Sequence, residues 1–219
     1  MYQTILFDVD GTLINSEQGI INALDYMSAQ MHWAPIAEQD YYRFIGPALS
    51  ESIPRYYHID DQAVVLTAIK HFQDYYNERG IFECEVYPGI TTMLQTLHAA
   101  GRHLAIATAK PEVMAQRLLA HFALDQYLDG IYGATLDETI RSRKVQIITY
   151  ALDEMHLQNH LADVMMVGDR RDDVAGARDN HIDAMGVTYG FGTARELKDA
   201  GARVIATSPA DVADWLLRH

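Results

Sequence analysis

Two carboxylates separated by one residue, Asp8 and Asp10, close the apolar run Thr4–Val9 and are followed at once by Gly11 and Thr12. Side chains two apart in an extended segment share a face, so both acids leave the strand end on the same side. Gly11 permits a tight turn that a side chain would obstruct. A lone D-x-D is as readily a solvated strand end, with Thr12 capping the helix into which the turn leads. The full D-x-D-G-T is harder to dismiss, since its chance occurrence in such a chain is on the order of one in a thousand. Its residue types suit phosphoryl transfer through an aspartate.

More acids follow a second apolar run, Val164–Gly168: Asp169 directly, then Asp172 and Asp173. If that run is a strand beside the first, Asp169 faces Asp8 and Asp10 at one sheet edge. Two carboxylates about 4 Å apart repel by about 4 kcal/mol at an effective dielectric near 20, so three together need a proton or a cation. An all-oxygen site that must also touch a phosphate suits Mg²⁺. Asp172 and Asp173 also read as simple acidic charge at a helix N-terminus. Thr108 closes the run His103–Thr108, and with a helix beginning near Pro111 its hydroxyl and the free amides there could bind phosphoryl oxygens. Thr108 is equally a strand end and helix cap. Lys144 opens an amphipathic stretch in which Ile147, Ile148 and Ala151 recur at core spacing. A lysine is normally a solvated helix residue, yet a helix start is where a cation is disfavoured.

These residues need a scaffold that gathers distant strand ends. Short β-rich runs at Thr4–Val9, His103–Thr108, Ile131–Ala134, Val164–Gly168, Ala184–Val187 and Val204–Ile205 alternate with amphipathic stretches. That alternation predicts an α/β fold, a doubly wound, Rossmann-like parallel sheet with helices on both faces. The interval from Glu17 to about Tyr87 breaks the alternation. It reads as helical throughout, with Val65, Ile69, Phe72 and Tyr76 at helical spacing before Gly80, and is far longer than a crossover helix requires. Residues 17–87 are therefore expected to form an inserted helical cap domain, and residues 1–16 with 88–219 the core. The cap's expected place is above the carboxyl ends of the strands, where open α/β sheets bind ligands.

Composition narrows the partners. With 219 residues and 49% hydrophobic content the chain can bury a sizeable core, and its net charge of −13 repels nucleic-acid polymers and anionic membranes. A phosphate site in such a chain must carry its own cation. The single cysteine, Cys84, excludes an intramolecular disulfide, and no basic leader or bilayer-length apolar run is visible, so a cytoplasmic location is expected.

In this order, D-x-D-G-T at Asp8, Thr108, Lys144, and G-D-x-x-x-D from Gly168 through Asp169 to Asp173, the chain resembles the haloacid-dehalogenase-like hydrolase superfamily, in the branch with an α-helical cap after the first strand. Phe44-Ile45-Gly46-Pro47, Thr108-Ala109-Lys110-Pro111 and Tyr189-Gly190-Phe191-Gly192 resemble phosphoglycolate phosphatases and related 5′-nucleotidases. The resemblance implies a Mg²⁺-dependent phosphatase acting on a small phosphorylated metabolite. Asp8 would be the nucleophile, forming an aspartyl-phosphate, and Asp10 the general acid and base. Thr108 and Lys144 would hold phosphoryl oxygens. Mg²⁺ would be bound by the Asp8 carboxylate, the Asp10 backbone carbonyl and Asp169, with Asp173 behind them orienting water or Lys144. Arg43, Gly46 and Lys110 are candidates for substrate contacts.

Some features depart from that pattern. Arg170 and Arg171 make the Asp169 loop unusually basic and either contact substrate or pair with nearby acids. Arg43 reads as an anion ligand or an exposed helix arginine. His156 and His160 have the i, i+4 spacing of a zinc pair but lack an acidic third ligand at recognisable spacing. The pairs Tyr41-Tyr42, Tyr56-Tyr57 and Tyr75-Tyr76 could stack a nucleobase or pack within the insertion. A phosphomutase would keep the same core residues, whereas a non-catalytic binding protein should have lost some. A dehalogenase has no use for Asp10.

Overall fold

Thr4–Phe7 (β1) is apolar on both faces, as a strand in the middle of a covered parallel sheet must be. The computed structural model describes residues 1–136 and 140–219 and places β1 at the centre of a six-stranded sheet. Its other strands are β4 (His103–Pro111), β5 (Gly130–Ala134), β6 (Val164–Gly168), β7 (Asp183–Val187) and β8 (Val204–Ala206). The order is β5-β4-β1-β6-β7-β8 and every pairing is parallel. Register fixes the neighbours of the β1 carboxyl end: Phe7 sits opposite Ile106 of β4 and Val167 of β6. The chain leaves β1 toward β4 and β5, then returns to add β6 on β1's other side. This reversal brings the carboxyl ends of β4, β1 and β6 side by side, the topological switch point at which such sheets bind ligands.

Alternating side chains load both faces. Leu6, Ala105, Ala107, Val164 and Met166 pack with Ile147, Ile148 and Ala151 of α6 (Lys144–Glu154) and with Val174 and Ala177 of α7 (Arg171–Asp179). Ile5, Phe7, Leu104, Ile106, Met165 and Val167, at the intervening positions, are also fully buried. Among the described residues of Val86–His219, the further α-helices are α4 (Ile90–Ala99), α5 (Glu112–His121), α8 (Ala194–Ala200) and α9 (Pro209–Arg218), of which α4 packs against α9.

The chain divides into two compact units, Met1–Ile14 with Val86–His219, and Asn15–Glu85. The second holds α1 (Glu17–Gln30), α2 (Leu49–Tyr57) and α3 (Gln62–Tyr76), with Val65, Ala68, Ile69, Phe72 and Tyr76 buried along α3. Several tyrosines of this unit are used within it, Tyr41 Oη donating to Asp25, Tyr75 Oη to Glu83, and Tyr56 packing edge-on to Phe44 and Tyr57, while Tyr42 is exposed. Two short strands, β2 (Ile14–Asn15) and β3 (Glu85–Val86), form a separate two-stranded sheet.

Three local expectations need correction. No helix starts after Thr12: the amides of Thr12, Leu13 and Ile14 all turn back to the Val9 carbonyl, and α1 begins only at Glu17. The interval that reads as wholly helical also contains 3₁₀ turns at Glu38–Arg43 and Gly80–Phe82 and the strand β3. Thr108 does not end its strand; β4 runs on to Pro111 through a register shift, and α5 begins at Glu112. Among the described residues, no helix is long and apolar enough to cross a membrane.

Candidate active site

The loop after β1 is built by the backbone. Asp8 N–H donates to the Val167 carbonyl at 3.0 Å, carrying the β1–β6 ladder one residue past the strand and fixing the root of the Asp8 side chain. Asp10 bridges to Ile14, and between them Gly11 takes a φ of +81°. A Cβ at Gly11 would collide with the Asp169 carboxylate and stand 2.6 Å from Phe191 Cδ2, so glycine is required both for the turn and for the close approach.

Asp169 is fully buried one residue past β6. Its Oδ2 accepts from Phe191 N–H at 2.8 Å and its Oδ1 lies 3.4 Å from Thr12 Oγ1, the donor. Thr12 therefore turns into the site instead of capping a helix. The Phe191 amide reaches Asp169 because the chain after β7 runs against the D-x-D-G-T turn. A Cβ on Gly190 would collide with the Gly11 carbonyl oxygen. Neither contact follows from the D-x-D-G-T or G-D-x-x-x-D patterns alone. The signal available for Phe191 was the pair of glycines flanking it just beyond a strand.

Lys144 links the two acidic segments. It is the first residue of α6 and is buried, with Nζ 2.8 Å from both Asp8 Oδ1 and Asp173 Oδ1 and donating to the Ala107 carbonyl at 3.1 Å. Burial alone would favour the neutral amine, but the fields of Asp173 and then Asp8 outweigh it and hold the pKa above the ordinary lysine value. Asp173 is committed on its other side as well, Oδ2 accepting from Arg170 N–H at 3.0 Å.

Asp8, Asp169 and Asp173 each present an oxygen, all within 4.8 Å of one another. Burial, followed by the charges of Asp173 and Asp8, pushes the Asp169 carboxyl well above its ordinary range, against the opposing pull of the Phe191 N–H and Arg170. Asp173 is also raised, by burial first, with Lys144 pulling it back. A single buried lysine among three buried carboxylates leaves negative charge uncompensated, and the donor set is all oxygen. These residues fit a hard divalent cation.

Among the other sequence candidates, Thr108 is buried beside this edge, its Oγ1 accepting from Lys110 N–H at 3.2 Å. Lys110 is buried too, Nζ 3.0 Å from Asp10 Oδ2. Arg170 Nε pairs with Glu196 at 3.1 Å and Arg171 Nε lies 3.6 Å from Asp172, which is exposed. Arg43 and Gly46 belong to the second unit, where Arg43 Nε pairs with Asp40 at 2.8 Å. His156 and His160 do not share a helix face, because α6 ends at Glu154 and His156 adopts a φ of +57°.

Comparison with known proteins places these features in a family context. Residues 5–187 match the family described as haloacid dehalogenase-like hydrolase. The chain is 36% identical to a 5′-nucleotidase of Pseudomonas aeruginosa, covering 90% of this chain and 87% of that one. It is 34% identical to the tyrosine-protein kinase PtkA of Mycobacterium tuberculosis, over 96% of this chain and 70% of that one. A phosphoglycolate phosphatase of Rhodospirillum rubrum is 28% identical over 99% and 91% of the two chains. Among solved structures, a predicted phosphatase from Clostridium acetobutylicum superposes with a TM-score of 0.94 at 37% identity, each chain covered in full.

Proposed function

This chain belongs to the haloacid dehalogenase-like hydrolase family, and from that premise we propose that it is a Mg²⁺-dependent phosphatase that hydrolyses a small phosphomonoester through an aspartyl-phosphate on Asp8. The observation that carries the reading is Lys144 Nζ at 2.8 Å from Asp8 Oδ1 in a buried setting. The ammonium lies against the nucleophilic carboxylate in a site shielded from solvent, where it can also attract the incoming phosphoryl oxygens.

In the first step an Asp8 oxygen bonds to phosphorus as the ester P–O bond breaks, and Asp10 gives a proton to the departing oxygen. In the second, Asp10 takes a proton from water as the water oxygen bonds to phosphorus and the Asp8–phosphorus bond breaks. Inorganic phosphate leaves and both aspartates are restored. Thr108 and Lys144 hold the phosphoryl oxygens through both steps, while the Thr12 and Phe191 contacts keep Asp169 in place. The Asp8 carboxylate, the Asp10 backbone carbonyl and Asp169 would hold Mg²⁺, which when bound would neutralise charge on the phosphoryl oxygens. Asp173 stays behind this set, orienting Lys144.

A small phosphorylated metabolite is the proposed substrate. Phosphoglycolate fits the resemblance carried by the strand and cap motifs, and nucleoside 5′-monophosphates are favoured by the 36% identity to the Pseudomonas nucleotidase. The test is a phosphate-release screen over two-carbon acid phosphates, sugar phosphates and nucleoside monophosphates, each with and without excess EDTA. One class should dominate in kcat/KM, and EDTA should abolish release until Mg²⁺ is restored. Full activity in EDTA would remove the metal from the mechanism. Phosphate appearing with no rephosphorylated product separates hydrolysis from phosphomutase chemistry and from transfer to tyrosine.

A further inference from the structure

The buried ion pair at Asp10 is not explained by the two-step scheme. Lys110 lies in the register-shifted end of β4, between Thr108 and Pro111, and its side chain is only 4% exposed. The adjacent strand is β1, and Lys110 Nζ stands 3.0 Å from Oδ2 of Asp10. Among the described residues the other oxygen, Asp10 Oδ1, is buried without a hydrogen-bond partner. A buried carboxylate oxygen left bare is costly, on the order of 1–3 kcal/mol or more, unless something arrives to use it.

Building on the phosphatase reading, we propose that Lys110 is a positioning residue that decides which oxygen of Asp10 works. Nζ anchors Oδ2, and Oδ1 is left to carry the proton. The arrangement serves both halves of the reaction. When Oδ1 bears the proton, Oδ2 is the carbonyl oxygen of a neutral carboxyl and still accepts from the ammonium. When Oδ1 has given the proton to the leaving oxygen, Oδ2 accepts from the same ammonium. The carboxyl plane therefore does not turn between the steps, and Oδ1 that served the departing oxygen receives the proton of the attacking water. Precise placement of this kind accounts for large rate factors when it is lost, because proton transfer needs heavy atoms within about 2.6–3.2 Å.

The two half-reactions lean on Asp10 unequally, which gives the test. 4-Nitrophenolate is a weak base and leaves with little help, whereas the attacking water needs Oδ1. In Lys110→Met, rapid mixing with 4-nitrophenyl phosphate should show a first turnover within about 3-fold of the wild type, then steady turnover at least about 10-fold slower, so that a burst appears. Turnover of an alkyl phosphate should fall further and show no burst. Lys110→Arg, which keeps a cation toward Oδ2, should recover part of the loss, and Lys110→Gln, which keeps a donor without a charge, should lie between Arg and Met. The Gln and Arg variants also carry the test should the Met variant fail to fold. A burst rate that falls in step with steady turnover in all three variants would assign Lys110 a structural role and overturn the proposal, as would unchanged kinetics. A wild-type protein that releases no phosphate from any ester overturns the phosphatase reading itself, a result seen before any Lys110 variant is made.

Discussion

Asp8→Asn should reduce phosphate release from 4-nitrophenyl phosphate by at least about 10⁴-fold, on the scale seen when a covalent nucleophile is removed. The amide is nearly the same size as the carboxylate, so the loss would be chemical. Folding should survive the change: Lys144 keeps Asp173 as a partner at 2.8 Å, and Asp8 contributes to the crowding of negative charge that raises Asp169 and Asp173. The melting temperature should therefore hold or rise while activity vanishes. Loss of fold alongside activity would mean that Asp8 is needed chiefly as a structural partner of Lys144.

Lys144→Met should show the opposite signature, with stability and activity lost together. Its removal leaves Asp8 Oδ1 and Asp173 Oδ1 buried and facing each other with no cation between them. Breaking a buried pair by deleting one partner costs about 3–5 kcal/mol, since the remaining charge is uncompensated. For a chain of this length that corresponds to a drop of roughly 10 °C in Tm. Adding Asp173→Asn to Lys144→Met should return part of the lost Tm without returning activity, because it removes an orphaned charge and restores no phosphate ligand. A Lys144→Met protein that melts like the wild type would show that the ammonium is not holding the two carboxylates.

The two variants bear on how much of the site could be read from residues alone. The D-x-D-G-T turn was legible because its chemistry is local: Gly11 must take a positive φ, and Asp8 must follow an apolar strand. The six strand positions were legible for a similar reason, as runs such as Thr4–Phe7 and Val164–Gly168 are buried on both faces and so uninterrupted in sequence. The placement of Asp169 near Asp8 needs only that β6 lie beside β1, and the register of Phe7 with Val167 realises it. Lys144 is harder, since a helical lysine is normally solvated and only its place at a helix start, where a cation is disfavoured, argues otherwise. What buries it is the packing of α6 and α7 against one sheet face, a long-range fact with no periodic signature.

Other contacts depended on backbone geometry and were out of reach. The Phe191 amide reaches Asp169 only because the chain after β7 runs against the turn at Gly11. Thr12 looked like a cap because its local sequence suits one, yet the Val9 carbonyl gathers the following amides and no helix forms there. Lys110 can be picked out as a motif residue, but its pairing with Asp10 is made past Thr108, where the register of β4 shifts. The i, i+4 spacing of His156 and His160 gives them no common helix face, since helical spacing counts only while the helix lasts and α6 ends at Glu154.

The central claim is that phosphate passes through a covalent bond to Asp8, and trapping that bond tests it most directly. In Asp10→Asn the group that deprotonates water is gone, so the second step should stall after an activated ester such as ³²P-labelled 4-nitrophenyl phosphate has reacted. Acid quenching followed by peptide mapping should find close to one labelled phosphate per chain, on the peptide containing Asp8 and released by hydroxylamine as an acyl phosphate is. Label on another residue, or phosphate formed in the first turnover with no label on the protein, would contradict the account.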